Sequence, residues 1–357
     1  MSPMPIPVTL TQTPKKKPDS GQALPFGRLF TDHMLLMDFD RAQGWHGLRI
    51  VPYGDFTLPP SAMVFHYAQE VFEGMKAYPS PGGLTLFRPM DNLRRMNASC
   101  RRLCIPEMPL DEVYQGLLSL LKLEQGWVPT DPGTSLYIRP TIIATEAALG
   151  VKASDSYLFF VILSPVGAYY ASGFNPLRIV VEGTYTRAAP GGTGSVKCGG
   201  NYGGSILASH LAHEKGFDQV LWLDAAERRH VEEVSSMNIF FVFDGQLVTP
   251  ELGDTILPGI TRDAILMLAK VLGIPAVQRR VPLQEVVAAQ ASGALQEAFG
   301  AGTAAVVAPI GSLTVDGRML LIGHGGTGPI TKRLHDTLTG IQRGSQPDPL
   351  GWVVQVS

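Results

Sequence analysis

Lys197 lies in the segment Ser195-Val196-Lys197-Cys198-Gly199-Gly200-Asn201-Tyr202, among glycines that let a ligand come close to the backbone. The segment is not a phosphate-binding P-loop, because Val196 replaces the glycine before the lysine and Cys198 replaces the Ser or Thr after it. Apolar strands are expected to follow. Partial burial beside them would lower the amine's pKa toward the neutral form that attacks carbonyls, as in a Schiff base. An ordinary surface lysine is the plain alternative, and this segment alone does not decide between the two.

Two further segments suit an anion. Leu257-Pro258-Gly259-Ile260-Thr261-Arg262 leads into a helix expected through Leu272, whose first turn offers free N–H groups and the positive end of a dipole. Gly300-Ala301-Gly302-Thr303-Ala304-Ala305 carries the glycines of a dinucleotide fingerprint. It follows an expected helix, Gln284 to Phe299, and precedes an expected strand, Ala305 to Ile310, which is the reverse of the order that motif requires. Thr303 is nonetheless a candidate hydroxyl donor. Glu232 and Glu233 sit in an extended segment where neighbours alternate faces, so one is expected to point inward and to need a cationic partner. An amine, an anion site and an inward carboxylate complement the aldehyde, phosphate and ring nitrogen of pyridoxal 5′-phosphate.

The elements that must position these residues read as follows. Met63 to Tyr78 is expected to be extended, with a hairpin turn at Pro81-Gly82-Gly83 into Leu84 to Arg88. Asp91 is a candidate N-cap for a helix carrying Leu93, Met96, Cys100 and Leu103, which would put Cys100 and Cys104 in the core. A second helix, Leu110 to Gln125, precedes strands at Ser135 to Thr141 and Tyr157 to Leu163. Later come a strand at Leu177 to Val181, a helix near Ser205 to Lys215, and strands at Gln219 to Leu223, Val231 to Val234 and Asn238 to Phe243. Asp244-Gly245 and Asp316-Gly317 are hairpin turns, so part of the sheet is antiparallel and a doubly wound nucleotide fold is disfavoured. A short helix is expected at Thr331 to Gly340.

A length of 357 residues suggests two domains. Four segments are expected: a loose N-terminal arm over 1–26, a small α/β domain over 27–166, a linker over 167–178 marked by Gly167 and Gly173, and a larger domain over 179–357. Lys plus Arg at 29 against Asp plus Glu at 31 leaves no positive surplus for nucleic acid or anionic membranes. The most apolar run, Leu158 to Leu163, is far too short to span a bilayer. Three cysteines, an odd count, argue against a disulfide framework and for a reducing compartment, so the cytoplasm is expected.

Several long motifs, in order, resemble the branched-chain amino acid aminotransferases. They are Phe72-Glu73-Gly74-Met75-Lys76-Ala77, Leu86-Phe87-Arg88-Pro89, Thr134-Ser135-Leu136-Tyr137-Ile138-Arg139-Pro140 and Lys197-Cys198-Gly199-Gly200-Asn201-Tyr202. They continue through Glu233-Val234-Ser235-Ser236-Met237-Asn238, Ile256-Leu257-Pro258-Gly259-Ile260 and Gly300-Ala301-Gly302-Thr303-Ala304. The likeness covers nearly the whole chain beyond the arm. It implies an α/β fold of type IV, with mixed and partly antiparallel sheets, a small and a large domain, and a homodimer.

The resemblance also implies an activity: transfer of the amino group between L-leucine, L-isoleucine or L-valine and 2-oxoglutarate, with pyridoxal 5′-phosphate as cofactor. Lys197 would carry the cofactor as a Schiff base and act as general base and acid. Glu233 would hold the ring nitrogen protonated, and Tyr202 would bond the ring hydroxyl. Arg95, Ile260, Thr261 and Thr303 would hold the phosphate, and the turns at Ser236 and Ala304 the substrate carboxylate. The side-chain pocket maps onto Phe26, Tyr67, Phe72, Tyr137, Arg139 and Tyr169, with Leu149 and Val151 reaching in from a partner subunit. Arg139 with the Tyr67 and Tyr137 hydroxyls would take the distal carboxylate of glutamate, whose unpaired burial would be costly.

Three other readings stay open at this point. D-amino acid transaminases and aminodeoxychorismate lyases share the lysine and phosphate framework, and a non-catalytic phosphate-ligand binder would use the glycine-rich turns without the lysine. The chain departs from mammalian members in having Ala305 and Ala308 where they carry a Cys-x-x-Cys pair, which excludes a redox switch there. Cys198 reads as a small buried filler.

Overall fold

The structure is a computed structural model that describes residues 6–167 and 174–356. It forms two compact units, Met1–Tyr169 with Ile341–Ser357, and Tyr170–Gly340.

The first unit is built on an antiparallel sheet of β1 (His33–Asp40), β2 (Gly44–Pro52), β3 (Glu70–Phe72), β4 (Met75–Ser80), β5 (Gly83–Phe87), β6 (Ser135–Ala144) and β7 (Ser156–Val166). Its order is β5-β4-β6-β7-β1-β2, with β3 on β6. Helices α1 (Met63–Tyr67), α2 (Pro89–Arg102) and α3 (Leu110–Leu123) belong to the same unit. The amphipathic α3 buries Val113, Leu117, Leu120 and Leu121. Gly116 lies so close to Leu35 and Leu48 that a Cβ there would meet both within about 3.1 Å.

Five expectations change in this unit. Met63 to Tyr67 is a helical turn rather than extended chain, ended by Ala68 in the left-handed region. The N-cap of α2 is Arg88, also left-handed, and Asp91 instead accepts a hydrogen bond from Arg88 Nε at 2.7 Å inside the first turn. Pro89 at the first helical position needs no donor partner, which shifts the start to before Asp91. Cys104 lies past the end of α2 and is exposed, while Cys100 is buried, which pushes its thiol up to about 12. The arm is docked: Val8 bridges to Ile50, Thr11 N–H donates to His33 Nε2 at 3.0 Å, and Lys15 N–H donates to Asp32 Oδ1 at 2.9 Å. Further along, the Gly21 amide donates to Asp131 and the Gly167 amide to the Leu24 carbonyl. Finally, the residues from Ile341 onward belong here rather than to the second unit, because the strand Val353–Val356 pairs antiparallel with β5 along Val353↔Phe87 to Val356↔Leu84.

The second unit carries β8 (Leu177–Val181), α4 (Gly199–Gly203), α5 (Ile206–Glu214), β9 (Gln219–Leu223), β10 (His230–Val234), β11 (Met237–Phe243), β12 (Gln246–Thr249) and α6 (Ile260–Val271). These are followed by β13 (Ala276–Gln278), β14 (Val281–Pro282), α7 (Leu283–Ser292), β15 (Leu295–Gly302), β16 (Val306–Val315), β17 (Arg318–Leu321) and α8 (Pro329–Gln342). The strands β11-β15-β16-β8-β9-β10 form a ring, closed where β10 pairs back onto β11 through Glu233↔Asn238 and Val234↔Met237. Parallel pairs at β16/β8 and β8/β9 mix with antiparallel ones elsewhere. Leu221, Val234, Ile239, Phe241 and Ile310 are among the buried side chains of its core.

Both Asp-Gly turns are hairpins, with Asp244 and Asp316 at φ 46° and 47° and the glycines after them at 79° and 78°. The expected helix Gln284 to Phe299 is two elements. The helix α7 stops at Gly293, whose φ of 83° breaks it, and β15 then runs between β11 and β16. Residues 300–305 therefore turn within an antiparallel hairpin, which removes the dinucleotide reading. Within the stretch expected as a linker, residues 168–173 lie outside the described residues, Tyr169 among them.

Candidate active site

The ring of the second unit brings most of the expected chemistry to one end. Glu233 on β10, Asn238 on β11 and Ala301 on β15 stand in one row of paired residues. The turn after β10, with Ser236, and the turn after β15, with Thr303 and Ala304, are therefore neighbours at the same rim. A Cβ on Gly302 would touch Met237 at 3.4 Å, and one on Gly300 would clash with the same side chain at 2.7 Å. The turn before α6 joins this rim through Asn238, whose Nδ2 donates to the Leu257 carbonyl at 2.9 Å. Gly259 has no room for a side chain, because a Cβ would stand 2.0 Å from Asn238 Oδ1. Among the described residues no side chain caps α6, which leaves its first amides, at Ile260 and Thr261, for an outside acceptor.

Glu233 is only 3% exposed. Its Oε1 accepts from Asn238 Nδ2 at 3.0 Å and from the Leu257 amide at 3.2 Å, and Arg187 Nε lies 2.7 Å from its Oε2 without the alignment of a hydrogen bond. Desolvation pushes its carboxyl up to about 7, against the pull of Arg187, the Leu257 amide and, more weakly, Lys197. Glu232 is buried as well, so the pair does not divide into one inward and one outward residue; its Oε1 accepts from Thr255 Oγ1. Burial raises the Glu232 carboxyl too.

Lys197 is half-buried just before α4, and its Nζ donates to the Tyr202 hydroxyl at 2.7 Å, inside that helix. Asn201 fixes the loop before it, donating from Nδ2 to the carbonyls of Thr193 at 2.7 Å and Val196 at 2.9 Å. A half-buried amine, a phenol in contact with it, a buried carboxylate and an uncapped helix start fit pyridoxal phosphate: they offer one partner each for its aldehyde, ring hydroxyl, ring nitrogen and phosphate. Sequence reasoning left out Arg187 and Asn238. Asn238 stands in one of the family motifs without a role of its own, and a lone arginine in a loop gives no pattern to notice.

The first unit gathers another set. Tyr137 and Arg139, two apart on β6, share a face of the strand, and Arg139 Nη2 donates to the Tyr137 hydroxyl at 2.9 Å. The Arg139 guanidinium lies over the Phe72 ring at 4.8 Å and the Tyr137 ring at 5.2 Å, and Phe26 meets Tyr137 edge-on at 4.8 Å. Arg139 Nε is buried and has no acceptor among the described residues. Tyr67 donates its hydroxyl to the Leu149 carbonyl, at the base of a loop where Leu149 is 64% and Val151 85% exposed. Arg95 is buried on α2, its Nε and Nη2 donating to the two oxygens of Glu73 at 2.7 and 2.8 Å. Glu73 was not among the expected site residues, although the structure gives it the orientation of Arg95.

Comparison with known proteins gives the family. The family model described as amino-transferase class IV matches residues 70–313. The chain is 50% identical over 353 residues, 99% of its length and 97% of the other's, to the branched-chain-amino-acid aminotransferase 2 of Bacillus subtilis (strain 168). It is 51% identical, over 96% of both chains, to the branched-chain-amino-acid transaminase 1 of the same organism. Among solved structures, it superposes on the branched-chain amino acid aminotransferase of Escherichia coli with a TM-score of 0.78 at 30% identity, covering 91% of this chain and 99% of that one. A second solved branched-chain amino acid aminotransferase, with pyridoxamine 5′-phosphate, gives 0.75 at 28% identity, over 90% of this chain and 98% of that one.

Proposed function

The chain belongs to the class IV aminotransferases, beside branched-chain-amino-acid aminotransferases, and from that premise we propose how its residues divide one reaction. The protein is a pyridoxal-phosphate-dependent aminotransferase of fold type IV. It exchanges the amino group between L-leucine, L-isoleucine or L-valine and 2-oxoglutarate, giving the branched 2-oxo acid and L-glutamate. The observation that carries the assignment of roles is the Lys197 amine in contact with Tyr202, in the unit where Glu233 is buried with an ion-pair partner.

When bound, the cofactor supplies the carbon that accepts and returns the amino group and a ring that withdraws electrons from it. Lys197 Nζ would take the proton from the substrate Cα as base and pass it as acid to the carbon that receives the amino group, and run the same transfer backwards in the second half-reaction. Tyr202, within hydrogen-bond reach of that amine, orients it and bonds the ring hydroxyl. Glu233 holds the proton at the ring nitrogen. The Ile260 and Thr261 amides, with Thr303 and with Arg95 oriented by Glu73, bind the phosphate. The turns at Ser236 and Ala304 take the substrate carboxylate.

Phe26, Tyr67, Phe72, Tyr137 and Tyr169 provide the walls that accept an aliphatic side chain, and Arg139, whose buried Nε lacks an acceptor among the described residues, takes the distal carboxylate of glutamate. The exposed Leu149 and Val151 serve a partner subunit of a homodimer, and the compartment is the cytoplasm. No described helix is long and apolar enough to cross a membrane. A substrate panel tests the reading: L-leucine, L-isoleucine and L-valine should each turn over with 2-oxoglutarate by ping-pong kinetics. Preference for D-alanine, or release of pyruvate without amino transfer, would refute it.

A further inference from the structure

Arg187 lies ten residues before Lys197 and takes part in neither the phosphate nor the substrate contacts assigned above. Its side chain is only 8% exposed. Its Nη2 donates to the Gly194 carbonyl at 3.0 Å, in the loop leading to Lys197, and to the Thr255 carbonyl at 2.6 Å, in the segment leading to α6. Its Nε faces Glu233 on β10. The two loops touch with no space between them: a Cβ on Gly194 would stand 2.5 Å from the Thr255 carbonyl oxygen, and the Ser195 amide donates to the Asp254 carbonyl at 2.9 Å. One guanidinium thus meets the three segments that carry the amine, the carboxylate and the phosphate turn.

We propose that Arg187 is a positioning residue for the cofactor: its guanidinium presents Glu233 to the ring nitrogen as a carboxylate and ties it to the Lys197 loop and the turn before α6. The proposal rests on the assignment of Glu233 to the ring nitrogen. A fixed planar fork with several donors suits this task, where lysine would supply charge at one point only. The charged groups acting on Glu233 are Arg187, Lys197, the neighbouring Glu232 and, from α6, Arg262. Of the cations, Arg187 exerts the largest pull, opposing a burial cost that by itself favours the neutral acid. A neutral acid does not balance a protonated ring nitrogen, so the pH-dependent part of the loss on removing Arg187 should be felt through that nitrogen.

The test compares cofactor binding by the apo forms of the wild type, Arg187→Gln and Arg187→Lys between pH 6 and 9. Two ligands are used: pyridoxal phosphate, and its analogue with a ring C–H in place of the nitrogen. Arg187→Gln should weaken pyridoxal phosphate about tenfold near pH 7, the equivalent of one pKa unit, with the deficit shrinking toward pH 9 as Glu233 ionises unaided. The nitrogen-free analogue should show no pH-dependent deficit in either variant. Arg187→Lys should fall between the two and shows the same discrimination if the glutamine variant fails to fold. Equal losses for both ligands at every pH would make Arg187 mere scaffold, and no loss at all would leave it without a role; either outcome overturns the proposal. A wild type that binds no pyridoxal phosphate in a borohydride-fixable form would instead defeat the functional assignment itself.

Discussion

The Glu233 end of the second unit and the aromatic cluster of the first place charge in opposite settings. Glu233 is met by an arginine, an asparagine and a backbone amide, and close glycine contacts fix Asn238 and its neighbour Met237. Arg139 is held mainly by ring faces and one phenol, and part of its guanidinium has no partner among the described residues. The difference suits the roles proposed for the two regions. A proton at a ring nitrogen needs the same counter-charge in both half-reactions, so a preorganised site serves it. A side-chain pocket that takes leucine in one half-reaction and glutamate in the other needs a cation that tolerates both an apolar neighbour and a carboxylate, and stacking on aromatic rings provides that.

Lys197→Ala should disturb this contrast most. Loss of the amine removes both the covalent hold on the cofactor and the proton carrier, so turnover should fall at least about a thousandfold, within the range for a general base alone. The Schiff-base absorption of the bound cofactor should be lost, while circular dichroism keeps the native signal, because Lys197 is half-buried and Asn201 holds the loop before it without using the amine. Full activity in this variant would refute the role assigned to the amine.

Arg139→Met probes the other side of the contrast. Its methylenes and sulfur can still pack on Phe72 and Tyr137, but the charge is gone. Transfer to 2-oxoglutarate should lose about 2–3 kcal/mol of transition-state stabilisation, roughly 30–140-fold in kcat/KM. The leucine half-reaction, followed in single turnovers, should stay within about threefold, since its side chain makes no use of the cation. Equal losses in both half-reactions would mean that Arg139 shapes the pocket without reading the carboxylate.

How far these two regions could be read from the chain alone differs for a physical reason. The second unit's strands announce themselves through β-branched runs and Asp-Gly turns whose left-handed backbone is a local requirement. Lys197, Glu233 and the helix start at Ile260 stood out by residue type and spacing. Arg187 did not, because its meaning comes from three segments that meet only in the folded ring. The same holds for β15: Ala291 to Ala298 has helical composition, and pairing with β11 and β16 on both sides outweighs it. The arm was unreadable for another reason. Backbone amides at Thr11, Lys15 and Gly21 carry much of its docking, and amides have no sequence signature. The return of the C-terminal strand to β5 is likewise a long-range pairing with no local mark.

Gly74 offers a smaller and more local test in the first unit. A Cβ there would stand 2.3 Å from the Tyr137 hydroxyl oxygen and 3.1 Å from the ring carbon that bears it. Gly74→Ala should therefore displace the ring against which Phe26 packs, costing about 1–3 kcal/mol in denaturant unfolding, the usual range for overpacking. Tyr137→Phe removes the clashing oxygen, so adding Gly74→Ala to that background should cost well under half as much. Strict additivity of the two changes would show that the glycine is needed for its backbone alone.

The mildest outcome concerns Cys198, beside the reactive amine. Its side chain is buried, and the sulfur packs at the N-cap of α4 as filler rather than facing reagents. Cys100 is also buried with a thiol raised by desolvation, so Cys104 is the exposed thiol of the three. Alkylation of the native holoenzyme should modify Cys104 first and leave transamination within roughly twofold of the untreated rate, because thiolate character and access decide reactivity. Strong inhibition that disappears in Cys198→Ala would show that the loop carrying Lys197 opens enough to expose its neighbour. The preorganisation attributed to the second unit would then not extend to the amine, and the contrast with the aromatic pocket would narrow to Glu233 and its partners.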